Sequence, residues 1–197
     1  MATVFDDLLL RGVRKGEMPA RTQQSREWFR DQAKTSGVKG DKGASQIVRD
    51  RTRMTTRNMI GKMYFFYYDP KHKKTLPYYD KFPLIFKVAQ SKGGFEGINM
   101  HYLPHRLRAK LMDSLYDITN NKRFDESTKL KISHQLLSSA TKYKWFKPTY
   151  KKYLTAHVRS RFIEIAPTEW DIALFLPVES FEKSRKTSVW SASRNAI

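Results

Sequence analysis

Residues 60–104 read IGKMYFFYYDPKHKKTLPYYDKFPLIFKVAQSKGGFEGINMHYLP. Runs rich in Tyr, Phe, Ile and Val are punctuated by Asp69-Pro70, Lys92-Gly93-Gly94 and Pro104. β-formers bounded by turn residues mark strands. Three strands are expected, at about 60–68, 82–89 and 94–102. The first is apolar at successive positions, so both of its faces should be covered, as in a central strand. The Asp-Pro-Lys-His-Lys-Lys link is polar and basic and belongs on the surface.

On the C-terminal side the pattern turns helical. Leu107, Leu111, Leu115 and Ile118 line one side of a helix, widened by Met112 and Tyr116, with Arg106, Arg108, Lys110 and Asp113 pointing elsewhere. Asn120-Asn121 ends it, and a second helix, capped by Asp125 or Ser127, carries Leu130, Leu137 and Tyr143. A last strand, Phe162 to Ile165, is expected to close the sheet, followed by a short helical piece in TEWDIALFLP. The tail beyond Phe181 is polar and basic and is expected to stay mobile or to dock on a neighbour through Trp190.

On the N-terminal side, Val4, Phe5, Leu8, Leu9 and Val13 have helical spacing up to Gly12 and Gly16. A second helix over 22–35 presents Trp28 and Phe29 as anchors. Residues 36–57, SGVKGDKGASQIVRDRTRMTTR, combine glycines and small polar residues with Arg49, Arg51, Arg53 and Arg57. Such a segment buries too little apolar surface to offset its ordering entropy and reads as a flexible arm. It either tracks phosphates or serves as a solvated connector. The expected fold is therefore α+β: a small curved antiparallel sheet or partial barrel covered by helices, with an extended basic N-terminal arm. The segments are 1–59, helices and arm; 60–182, core; and 183–197, tail.

The chain has 197 residues, with 38 Lys plus Arg against 19 Asp plus Glu, a net charge of +19. An excess of this size repels itself in a compact state and favours encounter with a polyanion. Cysteine is absent, which removes disulfides, thiolate nucleophiles and Cys-based zinc sites. The N-terminus lacks a basic leader and a cleavage site, and no stretch approaches the ~18 apolar residues of a membrane span. No membrane partner is expected.

Residues 142–161, KYKWFKPTYKKYLTAHVRSR, hold Lys142, Lys144, Lys147, Lys151, Lys152, Arg159 and Arg161 without one acidic residue. Cations neutralise phosphates and aromatic faces stack on exposed bases, so this mixture suits nucleic acid. The lysines are expected to make the contacts, while Trp145, Phe146, Tyr150 and Tyr153 are more simply read as core than as stacking platforms. Lys71, His72, Lys73 and Lys74 form a second cluster, and Arg106, Arg108 and Lys110 a third. Whether the clusters share a face is not readable from sequence.

Catalytic signals are thin. His101 and His105 are four apart, but Leu103-Pro104 between them keeps a regular helix from presenting both to a metal. Glu164, Glu169 and Asp171 lie close together, as a magnesium-dependent nuclease would require, yet Thr168, Glu169 and Asp171 are more simply explained by capping of a helix start. Lys92-Gly93-Gly94 lacks the Lys-Ser/Thr of a phosphate loop. Neither a cofactor nor a small-molecule substrate is expected, and no enzyme activity.

The stretches MYFFYYDPKHKKTLPYYDKFPLIF, GGFEGINMHYLPHRLRAKLMDSLYD, NNKRFDESTKLKISHQLL and RSRFIEIAPTEWDIALFLPVESFEK resemble a family of T-even-like tailed phages, the DNA end protectors, which are head-completion proteins. The similarity covers about residues 60–197. FDDLLLRGVRKGEMPARTQQSREWFRDQA follows the family more loosely, and residues 36–57 match no part of it. The resemblance implies a late virion protein, assembled in the host cytoplasm, that caps the packaged double-stranded DNA terminus against exonuclease without catalysis. It implies portal, neck or tail proteins as neighbours. The alternative is a structural connector of neck, tail or baseplate making mainly protein contacts.

Overall fold

The computed structural model describes residues 3–19, 22–140 and 146–195. Its centre is a six-stranded sheet built from β1 (Met54–Thr55), β2 (Met63–Phe65), β4 (Leu84–Ser91), β5 (Gly94–Asn99), β6 (Tyr150–Leu154) and β7 (Phe162–Ile165). The order is β1-β7-β2-β4-β5-β6 and every neighbouring pair is antiparallel. β3 (Tyr79–Asp80) and β8 (Phe181–Glu182) form a separate ribbon. The expected central strand is central: β2 is buried along its length between β7 and β4.

Alternation along the strands sorts the side chains into two layers. Met63, Phe65, Phe86, Ile98, Ile163 and others face the helices, while Tyr64, Phe66, Tyr68, Ile85, Phe95, Tyr153 and Phe162 form a cluster on the other side. Phe162 on β7 and Phe95 on β5 lie three strand spacings apart, about 14 Å in a flat sheet. Their ring centroids are 5.6 Å apart, so the sheet curls tightly around its own aromatic residues. The result is a partly open barrel. Two adjacent glycines permit it: Gly93 takes φ 75 in the β4–β5 turn, and a Cβ on Gly94 would sit 1.9 Å from the Tyr153 carbonyl oxygen of β6.

Strand β7 lies inside the sheet and does not close it. Closure comes from the end of β6 and the residues after it: the Leu154 N–H donates to Tyr68 Oη, Asp69 N–H to the His157 carbonyl, and Arg159 N–H to the Tyr67 carbonyl. These bonds fold the far edge back onto the end of β2.

Helices cover the other face. Two run from the N-terminus, α1 (Val4–Lys15) and α2 (Gln23–Thr35), and three follow the sheet's middle, α4 (His105–Thr119), α5 (Glu126–Ala140) and α6 (Trp170–Phe175). Thr3 and Asp6 form a capping box on α1, and Phe5, Leu8 and Phe29 enter the main core. Val13, placed on the inner stripe by spacing, is exposed instead.

The basic segment 36–57 is not an extended arm. Residues Gly40–Val48 form helix α3, with Ala44 and Ile47 fully buried, and residues 51–55 continue into a 3-10 turn and β1. The reason is a compact apolar stripe: Ala44, Ile47 and Val48 recur at i, i+3 and i+4, and Gly43 allows close approach to Val178. Gly40 N–H also donates to the Pro177 carbonyl. The C-terminal tail likewise docks on the chain's own core as α7 (Lys186–Asn195): Val189 is buried and Trp190 Nε1 donates to the His101 carbonyl at 2.8 Å.

Candidate nucleic-acid interface

At one end of the barrel, where β2 runs out into Tyr68-Asp69-Pro70 and β5 ends at Asn99, the sheet leaves a hollow of about 350 Å³. Lys71, His72, Tyr78, Tyr102, Lys151 and Lys152 are among its walls. The structure thus unites the 71–74 cluster with the lysines of β6. Lys151 and Tyr153, two apart on β6, share a face: Tyr153 stacks inside on Phe95, 5.5 Å between centroids, and Lys151 continues the same face to the mouth. Lys151 Nζ stands 4.3 Å from the centre of the Tyr102 ring, a cation–π contact.

Below the mouth lies a buried polar network. Asp80 accepts from Phe82 N–H at 3.1 Å and from Asn99 Nδ2 at 3.0 Å, and pairs with His101 Nδ1 at 2.8 Å; Asn99 Nδ2 also reaches Tyr153 Oη at 3.1 Å. Burial, with the Asp80 charge nearby, pushes the Tyr102 phenol far above its usual range. Burial does the same to Tyr153. Both stay neutral at physiological pH. Burial also lowers the Lys151 ammonium, which has lost water without gaining a carboxylate.

The turn that carries Lys71, Lys73 and Lys74 is held at both ends. Lys73 Nζ donates to Asp69 at 2.9 Å, and Arg159 lies 3.7 Å from the same carboxylate. From the other side Lys183 Nζ donates to the carbonyls of Lys74 and Leu76, at 2.9 and 3.0 Å. The ion-paired lysines of the described chain are Lys34, Lys62, Lys73, Lys81, Lys129 and Lys186. Lys71, Lys151 and Lys152 are not among them.

A protein-family model described as Phage T4 terminal DNA protecting protein matches residues 5–195. The chain belongs to this family. No curated protein and no solved structure matches the chain. The family match takes in the N-terminal helices and the 36–57 segment as well as the core, a wider span than the sequence resemblance covered.

The other residues expected at the interface are dispersed. Lys147 is exposed in the 3-10 turn before β6, and Arg161 is exposed just ahead of β7. Arg49 and Arg51 are exposed beside β1, the edge strand opposite β6 in the sheet order. Arg106 is exposed with Lys110 over a different hollow, between α4 and α5. Lys144, with Lys142 and Trp145, lies outside the described residues.

Two expected contacts are overturned. Arg108 is fully buried, its guanidinium donating to the carbonyls of Leu103 and Leu174 at 2.8 and 2.6 Å and to Glu179 at 2.7 Å. On a helix, residues 106 and 110 share a face and 108 points away from it. Arg108 stands i−3, i−4 and i−7 from Leu111, Met112 and Leu115, which was the available signal. Arg53 is largely buried, bridging Asp50 and Glu169 with Asp6 3.7 Å away.

Of the aromatics in 146–153, Tyr153 is core as expected, but Tyr150 is exposed and hydrogen-bonded to Glu96. Sequence reading missed Tyr78, Tyr102 and Lys183; Pro77, which biases Leu76 away from helix, was the hint that the turn ends there, ahead of the strand Tyr79–Asp80. Glu164, Glu169 and Asp171 are each tied to a different cation, Lys62, Arg53 and Arg30. Among the described residues no helix is long and apolar enough to cross a membrane, and no group of three His, Cys, Asp or Glu could hold a metal.

Proposed function

We propose that this protein binds the terminus of double-stranded DNA at the barrel mouth and covers it against exonuclease, as a non-catalytic virion protein of a tailed phage. Three lysines without carboxylate partners, Lys71 on the tethered turn and Lys151 and Lys152 on β6, gathered in one hollow with Tyr78 and Tyr102, carry the reading. The family's description and the net charge of +19 support it. Protection of an end needs no bond to be made or broken: a body that neutralises the last phosphates and covers the last base pair excludes a nuclease by competition. Contact with about 6–10 phosphates makes affinity fall by about three to five decades between 50 and 200 mM salt. In the particle, its neighbours are portal, neck or tail proteins.

Blunt linear duplex, purified protein and a processive exonuclease test this directly. The DNA should survive in proportion to protein added, and a circular or end-capped competitor should relieve protection far less than a linear one. Digestion at the uninhibited rate with saturating protein would overturn the reading.

A further inference from the structure

The mouth is the size of a small-molecule site. A paired duplex end, with two sugar–phosphate strands, is too broad to enter it. One face of Tyr102 is taken by Lys151, while Tyr78, half-buried at the rim, has its ring centre 6.1 Å from that of Tyr102 and inclined by 39°. The two tyrosines therefore do not stack on each other, and Tyr78 is left with a ring face for a planar partner. Lys151, against Tyr102 in the same hollow, is desolvated and lacks an anion. The carboxylate oxygens of Asp80 on the floor are already engaged by Phe82, Asn99 and His101, so the floor does not compete for the ammonium.

We infer that the mouth receives one unpaired nucleotide from the DNA terminus, its base against Tyr78 and its phosphate among Lys71, Lys151 and Lys152. This rests on the terminus-binding reading and adds to it a fraying step: the end is held by a single strand passed into the protein. A stacked base on an aromatic face is sequence-tolerant, since every base has a π-face. The site then holds any terminus that can open.

Three DNAs of one sequence separate the ideas: a dumbbell closed at both ends, a hairpin with one blunt G·C end, and the same hairpin with a two-nucleotide unpaired tail. The tailed end should bind about tenfold more tightly than the blunt one. Tyr78→Ala should erase that advantage while leaving dumbbell affinity unchanged, and Tyr78→Phe should keep it. 2-Aminopurine in the tail should be quenched by the wild type and by Tyr78→Phe but not by Tyr78→Ala, with urea midpoints confirming that both variants fold. Equal affinity for tailed and blunt ends, or a tail advantage that survives Tyr78→Ala, overturns the inference; terminus binding then still stands if both open ends beat the dumbbell. Equal affinity for all three DNAs overturns the terminus reading itself.

Discussion

In the helical layer buried cations face carboxylates: Arg30 lies 2.7 Å from Asp171 and 2.9 Å from Asp113, Arg26 shares Asp113, and Arg108 grips Glu179. At the barrel mouth Lys71, Lys151 and Lys152 form no such pair. The inner cations are arginines, whose planar fork satisfies several acceptors at once, and the mouth cations are lysines, compact point charges suited to phosphate. With these carboxylates committed inside, and with Asp80 on the floor and Asp69 in the turn engaged by other groups, Lys71, Lys151 and Lys152 keep their charge unanswered. The net charge of +19 is fixed by composition, and its concentration at the mouth follows from where the 19 acidic residues sit.

The comparison breaks most severely if the inner half is removed. Arg108→Ala strips Glu179 of its nearest cation in a site where neither side chain sees solvent, and removes the guanidinium donors from the carbonyls of Leu103 and Leu174. Loss of one member of a buried pair costs about 3–5 kcal/mol. Urea unfolding should show a loss of that size, with α7 released along with it, because Trp190 packs on this corner. A loss under about 1 kcal/mol would mean that Arg108 is not the pin the geometry describes.

The same corner sets a pH limit. Burial alone would raise the Glu179 carboxyl; Arg108, with His105 and Lys186 nearby, overcomes it and holds the group well below its usual 4.5. A folded-state value below the unfolded one stabilises the fold fully above the unfolded value and loses that contribution as pH falls beneath it. Stability should therefore decline as pH drops below about 4.5. Glu179→Gln should be less stable than the wild type at neutral pH, and its urea midpoint should fall less steeply on acidification. Parallel pH profiles for the two proteins would assign acid sensitivity to other carboxylates.

Much of this architecture was legible and some was not, for identifiable reasons. The three strands of 60–102 announced themselves because a strand's period of 2 and its turn residues are local. α3 escaped because nine residues with four small ones look like a linker until Val178 and Pro177, far along the chain, supply its packing surface. β6 was hidden because YKKYL alternates only weakly, and its pairing with β5 is a tertiary fact. The lysines of the mouth were identified by composition, but their meeting with residues 71–74 depends on closure of the barrel, which no local pattern encodes. Arg108 was misplaced by counting basic residues before counting helical turns.

The outer half of the comparison sharpens with a triple change, Lys71→Gln, Lys151→Gln and Lys152→Gln. Each phosphate contact contributes about 0.9 to the slope of log affinity against log salt, so the slope for linear duplex should become shallower by up to about 2.7. Affinity at about 0.1 M salt should fall by roughly one to two decades, while the urea midpoint barely moves, since exposed or unpaired lysines add little to stability. Arg49→Gln with Arg51→Gln, two exposed cations beside β1, is the control and should leave terminus affinity nearly unchanged. A control as damaging as the triple change would spread the interface over the whole basic surface and end the case for the mouth.

The smallest effect concerns how the mouth is held in shape. Lys183 has φ 65, a left-handed conformation unusual for a residue with a side chain, and from there its ammonium reaches the carbonyls of Lys74 and Leu76. Lys183→Ala removes both bonds and keeps the strained backbone, so the 70–76 turn loses one of its two tethers while Asp69 still holds the other through Lys73. Global stability should change by less than about 1 kcal/mol, because the bonds are exposed. Trypsin, however, needs a locally opened chain, and its targets Lys71, Lys73 and Lys74 all lie in this turn. Cleavage there should accelerate severalfold in Lys183→Ala and return to the wild-type rate when linear DNA is added. A turn cut no faster than in the wild type would show that the Asp69 side alone shapes the mouth, and Lys183 would drop out of the site.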